Sequence, residues 1–317
     1  MKPKKVVVLG GGTGLSNIVK DLKNLPINLT AVVSVSDNGS STGKLRREFL
    51  IPAVGDIRKV LTNLSTLPKN TSNLMELRLV SKSELNGHAI GNLLLVCLIE
   101  KYKSFKKGID SLSKLLKVKH KVLPLSEEYL TLCGKTKSGQ IVVGEEEITN
   151  ANQEFETIFY NTKPNVYPEV ISAIKSADLI VLSAGSLLTS LLPNIICPEV
   201  SEAIRSSKAK TIYICNIFTE QGETNNFTVF DHVKYIEKYI GQNTIDIIVA
   251  NNGSHEPKYI NKYKTEENKE LVKVDYDNIY KNGYTLIDCP LLTLENGTLK
   301  HDSMKLSSII FSILFQK

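Results

Sequence analysis

Residues 6–9 (VVVL) are apolar and mostly β-branched, and the glycine-rich stretch GGGTGLS follows at once at residues 10–16. A strand that runs straight into a glycine loop and a helix is typical of the first unit of a dinucleotide-binding fold. The dinucleotide fingerprint requires its third glycine at position 15, which Leu15 occupies, and the Gly-Lys-Ser/Thr ending of a Walker loop is also missing. The pattern therefore predicts a phosphate site at a helix N-terminus without assigning it to NAD. A turn that uses glycine only for its geometry is the alternative.

Strand-like runs recur along the chain, and longer segments with helical apolar spacing separate several of them. The runs lie at 5–9, 30–36, 179–183, 210–215 and 245–250. This alternation predicts an α/β, Rossmann-like fold, with a mostly parallel sheet and helices on both faces. We expect a single domain over residues 1–317, a length that one large α/β domain can fill.

Three segments depart from this alternation. Residues 126–150 contain two alternating runs joined by a Lys-Ser-Gly turn at 137–139, which predicts a small β-hairpin insertion. Residues 261–283 are rich in Lys, Asn and Glu, and we expect a mobile surface segment there. The run SMKLSSIIFSILF at 303–315 is too short to span a membrane and indicates a docking helix.

The composition, 42% hydrophobic and 23% charged, is typical of a globular protein in water. The net charge of +6 comes from scattered Lys and Arg, which indicates a solvated surface rather than a nucleic-acid interface. Five cysteines without a CxxC pattern indicate reduced thiols, and no signal peptide or membrane span is recognisable. We therefore expect a cytoplasmic protein with no nucleic-acid partner, and homo-oligomer formation is left open.

A second polar loop follows the predicted strand at 30–36, in SVSDNGSSTGKLRREF. Asp37 takes the place of the acid that binds ribose hydroxyls in an NAD site, but Asn38, Ser40 and Ser41 then build a second loop suited to anions. Asp56 follows in GDIRKVL. Two carboxylates at neighbouring loop tips, Asp37 and Asp56, could share a divalent cation such as Mg²⁺ that bridges phosphates. For Asp56 an N-cap is the alternative.

Further polar loops carry Asn92 in GHAIGNLLL, Gly185 and Ser186 in SAGSLLTS, and Asn216 in CNIFTEQGET. The Gly185-Ser186 loop repeats the pattern of a strand, a small-residue turn and a helix seen at residues 6–16. Because the carboxyl ends of parallel strands meet at one edge of a sheet, we expect these loops to gather around one ligand crevice.

Six stretches in order resemble the YvcK family, the bacterial gluconeogenesis factors, and more distantly the CofD family of 2-phospho-L-lactate transferases. They are GGGTGLS, SDNGSSTGKLRREF, GDIRKVL, GHAIGNLLL, GSLLTSLLPN and CNIFTEQGETNNFTVFDHV, and the similarity runs from residue 5 to about 310. The resemblance implies a Rossmann-like fold that binds a nucleotide sugar of the UDP-N-acetylglucosamine class. It also implies regulation of cell-wall synthesis and cell shape in response to carbon metabolism, through protein partners.

Carried over by position, the resemblance implies which residues form the pocket. The diphosphate would lie on Gly11, Gly12, Thr13 and Gly14, and the crevice beside it would be lined by Asp37, Asn38, Ser40, Ser41, Asn92, Gly185, Ser186 and Asn216. Tyr263 matches a family Tyr that would stack on the uracil or pack on the sugar, and Lys300 takes a basic position before His301-Asp302. SAGSLLTS stands where the family has GPGSLYTS, and FTEQGET where it has MTQPGET, so exact contacts transfer less well than the loop chemistry.

Two functions of different class remain from the sequence. The favoured one is a non-catalytic nucleotide-sugar-binding regulator that requires no cofactor. The alternative is a metal-dependent transferase resembling the 2-phospho-L-lactate enzymes, with the metal on Asp37 and Asp56. No Ser/His/Asp arrangement, HExxH motif or general acid–base pair stands out, and few aromatic residues lie near the loops to receive a large deazaflavin acceptor.

Overall fold

The structure is a computed structural model that describes residues 2–315, and it contains twelve β-strands in that range. They are Lys4–Gly10 (β1), Ile27–Val33 (β2), Lys121–Pro124 (β3), Leu132–Thr136 (β4), Ile141–Val143 (β5), Phe155–Tyr160 (β6), Leu179–Leu182 (β7), Lys210–Ile214 (β8), Ile247–Asn251 (β9), Thr285–Cys289 (β10), Leu292–Glu295 (β11) and Thr298–His301 (β12). Seven of them form a parallel central sheet in the order β10-β9-β8-β7-β1-β2-β3.

Helices cover both faces of this sheet. They are Gly12–Leu22 (α1), Ser40–Phe49 (α2), Gly55–Leu64 (α3), Lys69–Ser72 (α4), Ile90–Tyr102 (α5), Phe105–Leu115 (α6), Glu145–Asn150 (α7), Pro168–Lys175 (α8), Leu192–Ile195 (α9), Pro198–Arg205 (α10), Val229–Ile240 (α11), Pro257–Glu266 (α12), Tyr276–Lys281 (α13) and Ser303–Phe315 (α14). A 3-10 turn at Asn73–Glu76 and a π-helical turn at Leu187–Leu191 complete the set. The predicted α/β, Rossmann-like class is confirmed.

The central strands are nearly continuous apolar runs, as parallel strands covered on both faces require. β1 and β2 run side by side with Val6 opposite Leu29 and Leu9 opposite Val32, and all four side chains are buried. The strands expected at 5–9, 179–183, 210–215 and 245–250 are confirmed within a few residues.

The strand expected at 30–36 lies instead at 27–33. The apolar pattern misleads here because Val35 is fully buried beyond the end of the strand. Its carbonyl accepts a hydrogen bond from the Ala53 N–H instead of continuing the sheet ladder.

The hairpin expected within 126–150 is confirmed, with β4 and β5 antiparallel on either side of the turn at 137–139. It belongs to a larger unit, because β6 pairs with the other edge of β4 to give a three-stranded sheet. After β5 the chain turns at Gly144, whose φ of 118° favours glycine, and enters α7. Three glutamates in the first turn of α7 suit the positive end of a helix dipole.

Residues 261–283 contain the end of α12 and the short α13. Between these helices Leu271 forms an isolated antiparallel bridge with Phe218, so the segment is attached to the body of the domain. Its mobility stays a prediction.

The docking helix expected at 303–315 is confirmed as α14, which packs on α1 and buries Leu306 and Ile310. None of the helices described between residues 2 and 315 is long and apolar enough to cross a membrane.

Candidate functional site

A cavity of about 560 Å³ opens at the carboxyl edge of the central sheet. Loops that follow β1, β2, β7 and β8 line it, together with residues of α3, α7, α12 and β12. The structure brings together these residues singled out from the sequence: Gly11, Gly12, Thr13, Gly14, Asp37, Asp56, Gly185, Ser186, Asn216, Tyr263 and Lys300. The loops therefore meet as the parallel topology leads one to expect.

The glycine loop at residues 11–14 presents a helix N-terminus to the cavity. α1 starts at Gly12, its N-cap Gly11 makes no side-chain cap, and its first turn holds no acidic residue. The first N–H groups of a helix have no intrahelical acceptor, so this end suits an anion. At Gly14 a Cβ would lie 1.9 Å from the carbonyl oxygen of Ala184, so only glycine lets the two loops pack this closely.

The loop at residues 185–189 has a similar local sequence, but a carboxyl group of the protein already occupies it. The Ser186 hydroxyl donates to both carboxylate oxygens of Glu223, at 2.8 and 2.6 Å, and the Leu188 N–H donates to the same carboxylate at 3.1 Å. The Gly185 N–H donates to the Asn216 side chain at 3.1 Å, and the Asn216 amide returns a hydrogen bond to the Gly185 carbonyl. We therefore expect ligand phosphate at residues 11–14 rather than here.

Asp37, Asp56 and Glu145 form one side of the cavity, which we call the acidic wall. Burial, and then the charge of Asp56, raises the pKa of Asp37. Burial raises the pKa of Glu145 to about 8, and the neighbouring carboxylates, Asp37 first among them, act in the same direction. Lys59 offsets part of this charge, with Nζ 3.3 Å from Asp56 Oδ1.

Carboxylates outnumber cations among the residues that line the whole cavity. The carboxylates are Asp37, Asp56, Glu145, Glu220, Glu223 and Glu267, and the lysines are Lys59, Lys269 and Lys300. Lys269 is already paired with Glu220 and Glu267, at 2.9 and 2.8 Å. Such a cavity suits hydroxyl donors, or an anion accompanied by a cation.

Asp37 and Asp56 are the pair expected to hold a divalent cation. In residues 2–315 no group of three or more His, Cys, Asp or Glu side chains is arranged to hold a metal ion. Mg²⁺ commonly takes one or two carboxylates and completes its shell with phosphate oxygens and water, so this pair fits Mg²⁺ shared with a bound phosphate. An Asp56 oxygen would lie 2.9 Å from a Cβ at Gly11, which places the carboxylate beside the glycine loop. The N-cap of α3 is Val54, so Asp56 is not a cap.

Phe218, Tyr263 and Leu299 form another side of the cavity, the aromatic wall. The rings of Phe218 and Tyr263 stack with centroids 4.5 Å apart and planes 13° apart. The Tyr263 hydroxyl accepts a hydrogen bond from the Leu299 N–H at 3.0 Å. Since one face of Tyr263 packs on Phe218, a base would contact its opposite face or its edge.

Ser40, Ser41 and Asn92 do not line the cavity. Ser41 is buried, with its hydroxyl 2.9 Å from His88 Nδ1, and it accepts a hydrogen bond from the Asn92 side chain at 3.1 Å. Ser40 is exposed at the start of α2. Ser41 and Asn92 therefore bond to protein groups outside the cavity.

Asn38 is also outside the cavity and fastens α7 to the Asp37 loop. Its side-chain oxygen accepts the Glu146 N–H at 2.8 Å, and its amide donates to Glu147 at 2.9 Å. These two hydrogen bonds hold α7 so that Glu145 and Thr149 line the cavity. Sequence reasoning missed Glu145, since no local motif indicates where the insertion packs.

A depression of about 670 Å³ lies at the opposite edge of the sheet. It is lined mainly by side chains of β1–β3, α6 and α8, including the exposed lysines Lys5 and Lys121. Ligands of open α/β sheets bind at the carboxyl edge, so the 560 Å³ cavity is the better candidate.

Comparisons with known proteins agree with this architecture. Residues 6–292 match the family described as 2-phospho-L-lactate transferase CofD. The chain is 36% identical to the gluconeogenesis factor of Bacillus subtilis, over 99% of this chain and 98% of that one. It is 39% identical to the gluconeogenesis factor of Halalkalibacterium halodurans, over 98% and 96% of the two chains. An X-ray structure of a Bacillus halodurans protein superposes with a TM-score of 0.94 at 38% identity, covering 98% of this chain and 100% of that one.

Proposed function

Because the chain belongs to the gluconeogenesis factor family and matches the CofD family over most of its length, we propose that its cavity binds a nucleoside diphosphate sugar of the UDP-N-acetylglucosamine class. The observation that carries the proposal is the meeting of three chemically different surfaces in one cavity. The glycine loop suits the diphosphate, the aromatic wall suits the uracil, and the acidic wall suits sugar hydroxyls or a cation.

The proposed role is regulatory and non-catalytic. By analogy with the family that it resembles, the protein would link carbon metabolism to cell-wall synthesis and cell shape through protein partners. One histidine is among the cavity-lining residues, and it is poorly placed as a general base. The ring of this residue, His301, bonds through Nε2 to the Cys215 carbonyl at 3.0 Å, and burial lowers its pKa to about 4.

A metal-dependent transferase, similar to the 2-phospho-L-lactate enzymes, is the second candidate. The observation that favours it is the Asp37 and Asp56 pair beside the glycine loop. When bound, Mg²⁺ would neutralise charge on a diphosphate leaving group. The chain itself would orient the diphosphate through the N–H groups of residues 12–14, and hold the ion through Asp37 and Asp56.

Calorimetric titration with UDP-N-acetylglucosamine, UDP, GTP and NAD, with and without Mg²⁺, tests both candidates. For the regulator we expect a Kd of the order of micromolar for the UDP-sugar, and mass spectrometry of the mixture should find no product. New product in the presence of Mg²⁺ would establish the transferase. Tight binding of NAD in place of the UDP-sugar would contradict both.

Thr13→Ala tests whether the glycine loop is the phosphate site. Removing this exposed hydroxyl should weaken UDP-sugar binding by about threefold to tenfold, because one hydrogen bond is lost, without lowering the melting temperature. Thr71→Ala, an exposed position on α4 outside the cavity, is the matched control. Equal affinities of wild type and Thr13→Ala would mean that the loop serves only the fold.

A further inference from the structure

The inserted unit formed by β4, β5, α7 and β6 reaches the cavity only through α7. Glu145 is the first residue of this helix, and Thr149 lies one turn later on the side that lines the cavity. The Glu146 N–H donates to the Asn38 side chain, and the Asn38 amide donates to Glu147, so this end of α7 is held beside the Asp37 loop. The position of Glu145 is therefore fixed by packing and not by a flexible loop.

The surroundings of Glu145 leave its carboxyl group without a protein cation. No Lys or Arg in residues 2–315 forms an ion pair with it. Its charged neighbours are the carboxylates Asp37, Glu223 and Asp56, and the Thr189 hydroxyl lies beside it. The oxygens of this half-buried carboxyl group face the cavity, where they can accept hydrogen bonds from a ligand.

In a UDP-sugar hydrogen-bond donors lie on the two sugars and at N3 of the uracil. The phosphates are acceptors, and the N–H groups of the glycine loop meet that need. The base has the aromatic wall. The hexosamine carries adjacent hydroxyl groups and an amide N–H, and these groups can donate hydrogen bonds to the oxygens of the Glu145 carboxyl group.

On the basis of the proposed function, we infer that Glu145 recognises the sugar of the ligand, accepting hydrogen bonds from its hydroxyl or amide groups, and so determines specificity for the nucleotide sugar over the free nucleotide. Asn38 is a positioning residue in this arrangement, because it acts on the ligand only by holding α7. In this arrangement the loops at the sheet edge bind the nucleoside diphosphate, and the inserted unit binds the sugar.

Titration of Glu145→Ala and the isosteric Glu145→Gln with UDP-N-acetylglucosamine and with UDP tests the inference. Each variant should lose at least about tenfold in affinity for the UDP-sugar and stay within about threefold of wild type for UDP. Glu146→Gln is the matched control, because it makes the same substitution on the same helix at an exposed side chain outside the cavity. Asn38→Ala should reduce the preference for the UDP-sugar without changing the affinity for UDP.

The failures of the two proposals differ. If wild type binds neither UDP nor the UDP-sugar, the proposed function fails and this inference with it. If wild type binds both, and the Glu145 variants keep the wild-type ratio or lose both ligands equally, only the inference is overturned. The titrations are done with Mg²⁺ and repeated in EDTA. If the Glu145 variants lose the preference for the UDP-sugar in Mg²⁺ but match wild type in EDTA, Glu145 acts through a cation. That result would also overturn the inference.

Discussion

Glu223 is a buried carboxyl group that is surrounded by hydrogen-bond donors. Two hydroxyl groups, those of Ser186 and Thr189, and the Leu188 N–H point at it. Burial raises the pKa of Glu223 to about 7, although these hydrogen bonds favour the charged form. The charge of nearby Glu220 also raises the pKa of Glu223. The side chain therefore changes its charge near neutral pH.

The raised pKa of Glu223 predicts a loss of stability as the pH rises. The native state keeps a proton that the unfolded chain releases at its ordinary pKa of 4.5, so the free energy of unfolding should fall from that pH through about 7. The full decline from this group is about 3 kcal/mol, at about 1.4 kcal/mol per pKa unit.

Urea unfolding of the ligand-free protein between about pH 5 and pH 8 measures this decline, and Glu223→Gln should show a smaller one. The charge of Glu223 also helps to raise the pKa of Glu145 to about 8, so Glu223→Gln should reduce the contribution of Glu145 at the alkaline end as well. Identical pH profiles of wild type and variant would contradict the assignment.

At the scale of elements, the cavity depends on how closely the loop after β1 packs on the loop after β7. Gly14→Ala should separate them, since its Cβ would lie 1.9 Å from the Ala184 carbonyl oxygen. We expect a loss of about 1–3 kcal/mol in unfolding free energy and weaker UDP binding. Gly39→Ala is the control, because its Cβ would contact only side-chain atoms at 3.5 Å or more, and it should cost about 0.5 kcal/mol. Denaturant unfolding of both variants measures the two losses. Equal losses of unfolding free energy would show that the two loops have room for a Cβ at residue 14.

The elements also show what the sequence could predict. Strands, and the loops that follow them, are local patterns, so residues such as Thr13 and Asp37 could be placed at one sheet edge in advance. The partner of a polar atom is not local. Ser186 sits in a loop that resembles an anion site, and Glu223, 37 residues away, fills that site. Asn38 resembles a ligand contact, yet its partners lie more than 100 residues further along the chain.

For the whole molecule, α14 closes the fold against the helix that carries the glycine loop. Leu306 is 1% exposed at this contact, so Leu306→Ala should lower the unfolding free energy by about 2–4 kcal/mol through lost burial and a cavity. Met304 on the same helix is 70% exposed, and Met304→Ala should change the unfolding free energy by less than about 0.5 kcal/mol. Chemical denaturation of both variants provides the measurement, and an unaffected Leu306→Ala would mean that α14 adds little to stability.

Residues 298–301 of β12 line the cavity, although they are far from the glycine loop in sequence. The Asn17 side chain in α1 donates to the His301 carbonyl, 284 residues away, at 2.7 Å. The glycine loop at residues 11–14 is synthesised long before residues 298–301. A nascent chain therefore lacks this side of the cavity until β12 has been made and has docked. A ligand that contacts β12 would stabilise its docked position, because binding stabilises the state that binds.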